Sequence, residues 1–179
     1  MESDPAAPEE HMNQPLIQQF DSLKIQIEDR SPESLHIWFE GEVHENFKAR
    51  SVALPDAQAC VINLSGLRSI NSLGVREWSQ FLHTLSKKSN IVLEECSVVF
   101  IDQANIVPQI LMGARVSSFF APYFCPQCNT ELNCKLSVAN HRKKLSERRA
   151  PQIIHSCGAE LQFDALEESY FFQIEKIIG

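Results

Sequence analysis

The sequence predicts an α/β fold, in which a mixed β-sheet with packed helices is followed by a small metal-pinned extension. Three observations lead to this prediction. Apolar runs of strand length alternate with helix-forming segments before residue 125. The continuous apolar run at 60–64 is typical of a strand that is covered on both faces. Four of the six cysteines lie after residue 124, which indicates that a metal belongs to the C-terminal part.

Two strands open the predicted sheet. Apolar and polar residues partly alternate over 17–28, and Leu23, Ile25 and Ile27 share one face of the strand predicted there. The run 35–41, which follows a predicted turn at 31–34, is the hairpin partner of that strand. The apolar run 60–64 is the third strand, and the residues after it, 65–74, are predicted to form a loop.

A helix is predicted after this loop, with Ser72 as its N-cap. Its apolar residues recur at spacings of three and four, as they do on one face of a helix; they are Val75, Trp78, Leu82 and Leu85. The segment 91–94 is the next buried strand, parallel to 60–64 through a β-α-β step. The segment 98–112 is predicted to be a helix that breaks near Pro108, because proline lacks a backbone donor.

Composition divides the chain of 179 residues into three parts. An acidic segment at 1–14, rich in proline and alanine, is predicted to be a disordered tail. The α/β domain spans 15–122 and the cysteine-containing extension spans 123–179, with a strand at 116–124 leading into Cys125. No run approaches the roughly 20 apolar residues of a membrane-spanning helix, and no signal peptide is evident. We therefore expect a cytoplasmic protein without a membrane partner.

The charge of the chain disfavours general nucleic-acid binding as its function. The formal net charge is −7, whereas affinity for phosphates comes mainly from lysine and arginine. The segment 141–149 is an exception, since it holds five basic residues against one glutamate; they are Arg142, Lys143, Lys144, Arg148 and Arg149. We interpret it as a solvated helix or loop face, with a site for an acidic partner or a nucleic acid as the alternative.

Two cysteine-containing segments predict a zinc site. Cys125 and Cys128 form a C-x-x-C motif, and two thiolates at this spacing can bind one face of a tetrahedral zinc ion. Cys157 is followed by Gly158, which suits the turn of a second metal knuckle. Six cysteines without an export signal are better explained by reduced thiols and a metal than by disulfides. The zinc is predicted to be structural, because the sequence lacks the H-E-x-x-H pattern of catalytic zinc.

The sequence does not decide which residue is the fourth ligand of this zinc ion. The residue three before Cys157 is Ile154, which cannot bind a metal. Cys134 is the preferred fourth ligand because of the affinity of zinc for thiolates, His155 is the alternative, and His141 is the least favoured. An extension that has lost its metal and is held by its aromatic residues is the remaining alternative.

The segment 63–75 resembles the centre of the STAS domain, the fold of bacterial anti-sigma factor antagonists and of the cytoplasmic tails of sulfate transporters. The family motif is roughly D-L-S-x-x-x-x-I-D-S-S-G-L, and this chain reads N-L-S-G-L-R-S-I-N-S-L-G-V. The resemblance covers residues 20–120 and includes the Gly-Glu-Val at 41–43. The runs 118–128 and 157–171 resemble bacterial STAS-like proteins that carry a zinc-ribbon extension. A STAS-like sheet followed by a zinc-ribbon-like unit is therefore expected.

The resemblance implies a non-enzymatic regulatory module that binds an anti-sigma factor or a kinase-like protein in bacterial signalling or transcription. Ser72 matches the serine that is phosphorylated in such antagonists, and a phosphate there would lie at a helix N-terminus. The implied partner surface is the turn and the start of the helix, at Asn71, Ser72, Leu73, Gly74 and Val75.

The chain departs from the family motif at three acidic positions. Asn63, Asn71 and His44 stand where the family has aspartate, so a Ser72 that only caps the helix is the alternative to a phosphorylation site. Two other functions stay open. One is a zinc-stabilised scaffold with a degenerate STAS switch, and the other is a nucleic-acid-binding ribbon protein.

Overall fold

The computed structural model of the protein describes residues 14–31 and 34–178, with the side chains of residues 30 and 31 left out. Residues 1–13 of the predicted tail lie outside the described residues, as do residues 32 and 33 of the predicted turn. The described chain is mixed α/β, as the sequence predicts. Its larger sheet has six strands: β1 (Leu16–Phe20), β2 (Leu23–Ser31), β3 (Ser34–Val43), β4 (Ala59–Ile70), β5 (Asn90–Glu94) and β6 (Arg115–Val116).

The larger sheet is mixed, with its strands in sequence order. β1, β2 and β3 pair antiparallel, and the pairs from β3 to β6 are parallel. The helix α1 (Ser72–Ser86) connects β4 to β5, so the predicted parallel β-α-β step is confirmed. The helix α2 (Val98–Ile106) ends just before Pro108, where a short 3-10 turn replaces it. None of the described helices is long and apolar enough to cross a membrane.

The core on the α1 side of the sheet is aromatic. All four residues of the predicted helix stripe are buried, and Trp78 is fully enclosed. The Trp78 indole packs edge-to-face on Phe39 with ring centroids 5.1 Å apart, and its Nε1–H donates to the Ile110 carbonyl at 2.9 Å. This pairing satisfies the one polar group of the side chain.

Two strand predictions differ from the structure. The predicted strand at 17–28 is interrupted at Asp21, which has a φ of 52°, so β1 and β2 form a hairpin instead. The predicted loop at 65–74 is strand as far as Ile70. Irregularities in the β3–β4 register shift the usual alternation, and Leu64, Leu67 and Ile70 are buried at intervals of three. This spacing hides the strand from a period-of-two pattern.

A second sheet of three strands follows in the order β8-β7-β9. Its strands are β7 (Ser118–Cys125), β8 (Thr130–Ser137) and β9 (Gln162–Phe163), all antiparallel. The predicted boundary at residue 122 falls inside β7, and the buried side chains of the two sheets belong to one continuous core. Three further helices lie in this part of the described chain: α3 (Val138–Ser146) between β8 and β9, and α4 (Glu167–Tyr170) and α5 (Phe172–Ile178) after β9.

Gly74 allows the first turn of α1 to approach the end of β3. A Cβ at this position would lie 1.9 Å from the Val43 carbonyl oxygen. Asn71 N–H donates to the same oxygen at 3.3 Å, so the β3 end and the helix start are held together. The turn between β4 and α1 is therefore fixed by backbone contacts.

We predict that Gly74→Ala lowers the free energy of unfolding by about 1–3 kcal/mol, because the added methyl group must displace backbone. At an ordinary helix position the same substitution is stabilising by roughly 1 kcal/mol. Urea denaturation measures the difference. Ser72→Ala, at an exposed position of the same turn, is the control and should stay within about 0.5 kcal/mol. An unchanged or raised stability of Gly74→Ala would contradict the close approach.

Candidate functional site

Three thiols and one imidazole meet at the end of β7. The ligand atoms of Cys125, Cys128, His155 and Cys157 all lie within 4.8 Å of one another. All six cysteines are free, so no disulfide competes for these sulfur atoms. The group combines a buried thiol, Cys125, with the exposed thiols of Cys128 and Cys157. Thiolate and imidazole are donors that bind transition metals, so these four residues could hold a metal ion.

Two tight turns present the four ligand atoms. In the first turn the Cys128 N–H donates to the Cys125 Sγ at 3.4 Å, and Asn129 closes the turn with a φ of 53°. In the second turn the Gly158 N–H donates to the His155 carbonyl at 2.9 Å, and Gly158 has a φ of 87°. The left-handed residue after each pair of ligands reverses the chain and leaves both side chains on the same side.

Two of the distances between donor atoms match those around a tetrahedral ion. Metal–sulfur bonds of about 2.3 Å and metal–nitrogen bonds of about 2.0 Å place the donors of a tetrahedron about 3.5–3.8 Å apart. The Cys125 and Cys157 sulfur atoms are 3.6 Å apart, and the Cys128 Sγ is 3.5 Å from the His155 Nδ1. The distance from the His155 Nδ1 to the Cys157 Sγ is shorter, at 3.1 Å, since only one residue separates them.

The close approach of the thiols shifts the pKa values of Cys125 and Cys128 in opposite directions. Desolvation raises the pKa of Cys125, but hydrogen bonds from the Cys128 backbone and from the Cys157 and Cys128 thiols outweigh it and leave the pKa below its usual value. Contacts with Cys157 and Cys125 raise the pKa of Cys128 to about 11. The thiolate form is thus favoured at Cys125 and disfavoured at Cys128, since neighbouring negative charges repel one another. A bound cation would offset this repulsion.

The structure corrects the preference for Cys134 as the fourth ligand. Cys134 lies on β8 opposite Ala121, which is four residues before Cys125 on β7. Four residues of strand span about 13 Å, so Cys134 is far from the C-x-x-C turn. His155 occupies the fourth position of the group, and His141 lies in α3, outside it. The signal for His155 is the H-x-C-G pattern, which folds as a hairpin knuckle.

The start of α1 differs from the predicted capping. Asn71, and not Ser72, is the N-cap: its Oδ1 accepts the Gly74 N–H at 2.8 Å. Its amide nitrogen donates to the Glu45 carboxylate at 2.9 Å. That hydrogen bond is the first cause of a lowered pKa at Glu45. Ser72 is exposed, and its hydroxyl has no hydrogen-bond partner among the described residues.

The five predicted partner residues divide into exposed and buried ones. Leu73 is 49% exposed and lies beside the exposed Ser72, while Asn71 is half-buried. Gly74 and Val75 are buried, and Val75 is only 8% exposed because it faces the core. A contact of the Val75 side chain with a partner stays a prediction, and in this structure that side chain is buried. Val75 anchors the turn that presents Ser72 and Leu73.

A polar cluster at the ends of β3 and β4 lies a few residues from this turn along the chain. Sequence patterns do not predict it. His44 is hydrogen-bonded through its Nε2 to the Ser69 Oγ at 2.9 Å, and its Nδ1 is 3.6 Å from the Glu42 carboxylate. Glu42 and Ser69 are partners in the β3–β4 register. The cluster could not be found from sequence spacing, because the register shifts near Gly41 decide which residues face each other.

The arginines of the basic segment bind the C-terminal helices. Arg148 donates to the Glu175 carboxylate at 2.8 and 2.6 Å, and Arg149 donates to Glu167 at 2.8 Å. Arg142 donates to the Ile178 carbonyl. Three of the five cations of the basic segment are therefore bound to acceptors within the molecule, which weakens the case for a phosphate-binding face.

Comparisons with known proteins add no relative. No family model matches the chain, and the searches of curated proteins and of solved structures found no match. The candidate sites therefore depend on their geometry.

We predict that the full chain binds one zinc ion, and that Cys157→Ser weakens its binding by more than about 100-fold because a direct ligand is lost. Cys134→Ser should leave the affinity unchanged. Competition with a chromophoric chelator measures both affinities. Equal loss of affinity in the two variants, or loss in Cys134→Ser alone, would restore Cys134 as the ligand.

Proposed function

We propose that this protein is a non-enzymatic, zinc-stabilised interaction module, whose protein partner docks on the surface presented by Ser72 and Leu73. The observation that carries the proposal is the pairing of an exposed leucine with an exposed serine, whose hydroxyl bonds to none of the described residues, on a turn held by Asn71 and Gly74. The partner proposed is an anti-sigma factor or a kinase-like protein, in line with the STAS resemblance.

The turn suits docking because it is pre-organised. The Asn71 side chain caps α1, and the backbone at Val43 is in contact with Gly74 and Asn71. A leucine presented from a rigid turn loses little conformational entropy when a partner covers it. A single exposed leucine is ordinary on a protein surface, so Ser72 at its side supplies the regulatory element of the proposal.

Phosphorylation of Ser72 would oppose docking. Ser72 is the first residue of α1, where free backbone N–H groups and the helix dipole favour a phosphate. The phosphate would add nearly two negative charges beside Leu73, on the same turn as the Asn71–Glu45 contact. A partner that buries Leu73 would then have to desolvate that charge.

We assign the metal as structural zinc. Three thiolates and one imidazole match the donor preference of zinc, and four protein ligands fill a tetrahedral shell. No position in such a shell remains for a reacting water. The ion would join the C-x-x-C turn to the hairpin that carries His155 and Cys157, as in a zinc ribbon.

The scaffold and nucleic-acid functions make different demands. A scaffold would be indifferent to the charge at Ser72. A nucleic-acid binder needs free cations, whereas Arg142, Arg148 and Arg149 already contact acceptors in the C-terminal helices.

We predict that Ser72→Glu and Leu73→Ala each weaken capture of the native partner from its own cell extract, Leu73→Ala by about fivefold or more. The reason is added charge in one variant and lost apolar contact in the other. Affinity capture with quantitative mass spectrometry measures the retained partner.

Two control variants accompany this test. Ser72→Ala keeps the surface neutral, and Gln80→Glu adds the same charge at an exposed position farther along α1. Both should retain the partner. If all four variants capture it equally, docking at this turn is refuted. Salt-sensitive retention on DNA that is lost in Lys143→Gln and Lys144→Gln would favour the nucleic-acid function instead.

A further inference from the structure

We propose that Cys157 is a site of oxidation by peroxides, and that its oxidation joins it to Cys125 in a disulfide and expels the metal. This inference rests on the zinc of the proposed function and is independent of the docking surface at α1. It assigns a chemical reactivity to a site that otherwise serves only stability.

Access separates Cys125 from the other two thiols. Cys128 and Cys157 are both exposed, whereas Cys125 is fully buried, and Cys157 is the exposed thiol whose sulfur lies 3.6 Å from the Cys125 sulfur. The position beside Cys157 is open, since a Cβ built at Gly158 would meet no atom within 4 Å. A small oxidant in solvent therefore reaches the Cys157 sulfur directly and cannot reach the Cys125 sulfur first. Accessible thiolates are the ones that peroxides oxidise.

The buried thiol is in position to react next. The Cys125 Sγ lies 3.6 Å from the Cys157 Sγ, and a disulfide bond is about 2.05 Å long. The two sulfur atoms must therefore approach by about 1.5 Å, which is within reach of a side-chain rotation at a hairpin tip. Cys134 lies on β8 opposite Ala121 and cannot compete for this reaction.

The reaction balances with hydrogen peroxide as the oxidant. The Cys157 thiolate attacks one peroxide oxygen, the O–O bond breaks, and a sulfenic acid and a hydroxide form. The Cys125 thiolate then attacks the sulfenic sulfur, the S–S bond forms, and the S–O bond breaks to release a second hydroxide. Two electrons pass from sulfur to oxygen, and the two hydroxides take up protons to give water.

The disulfide between Cys125 and Cys157 removes two thiolates, which are half of the four metal ligands. Cys128 and His155 remain, and two ligands hold zinc weakly compared with four. The rest of the extension stays anchored, because the Tyr123 hydroxyl donates to the Pro151 carbonyl at 2.8 Å and the Leu161 N–H donates to the Ile153 carbonyl at 2.9 Å. The expected change is a local opening of the turns around Cys128 and Cys157, with the core intact.

Peroxide treatment of the zinc-loaded full chain tests the proposal. Zinc release is followed with a chromophoric chelator, and disulfides are mapped by mass spectrometry of peptides made without reduction. The expected result is release of zinc together with a peptide that links Cys125 to Cys157, reversed by a thiol reductant and added zinc. Hydrogen exchange should rise around residues 125–129 and 153–160 and stay unchanged in β3, β4 and α1.

The variant Cys157→His removes the sulfur that the proposal oxidises and places an imidazole at the same position, and its zinc content is measured before peroxide is added because Cys157 is itself a proposed ligand. We expect zinc release under peroxide to be about tenfold slower in this variant, since it lacks the exposed thiol that lies 3.6 Å from the Cys125 sulfur. Cys134→Ser should release zinc as fast as the unmodified chain. The proposal is overturned if Cys157→His releases zinc equally fast, or if the linked peptide joins another pair of cysteines. Absence of zinc before oxidation would instead refute the metal of the proposed function.

Discussion

The strand β7 is the element on which both halves of the structure depend. It begins against the larger sheet, where the Ser117 N–H donates to the Leu93 carbonyl at 2.8 Å and Phe119 bridges to Cys96. It then runs through the centre of the second sheet. Alternation along the strand points Phe119, Ala121, Tyr123 and Cys125 inward. Cys125 thus continues the row of core side chains and is the buried member of the four residues that could hold a metal ion.

A polar contact also joins the two sheets. Glu95 lies just after β5, and its carboxylate accepts hydrogen bonds from the Lys135 ammonium of β8 and from the Asn63 side-chain amide of β4. The hydrogen bond from Lys135 is the first cause of the lowered pKa at Glu95. A carboxylate with a lowered pKa in the folded state contributes stability above its unfolded pKa and loses it on acidification. Asn63, one of the departures from the STAS motif, therefore has a structural role at this junction.

Sequence patterns anticipated the features that depend on local periodicity. The α1 stripe from Val75 to Leu85, the break at Pro108 and the C-x-x-C turn all follow from spacing and from the chemistry of single residues. The extension of β4 to Ile70 was missed because register irregularities against β3 change the burial period. Such irregularities involve two strands and leave no pattern in one.

The other differences arise from competition between neighbouring residues or from distant partners. Asn71 and Ser72 are both good N-caps, and contacts with Val43 and Glu45 decide for Asn71. Cys134 is a better zinc ligand than His155 in isolation, but the β7–β8 register carries it away. Most of the basic segment is exposed, as its charge pattern indicates, but the ion pairs of Arg148 and Arg149 could not be predicted because their acceptors, Glu175 and Glu167, come later in the chain and reach the segment only through folding.

The shell of atoms around the metal is the most direct test of the account. X-ray absorption at the zinc edge of the purified full chain measures the number and type of donor atoms. The structure predicts three sulfur donors at about 2.3 Å and one nitrogen donor at about 2.0 Å. Four sulfur donors would require Cys134 to leave β8 and would contradict the fold of the second sheet. A shell of oxygen and nitrogen donors alone would contradict the metal centre itself.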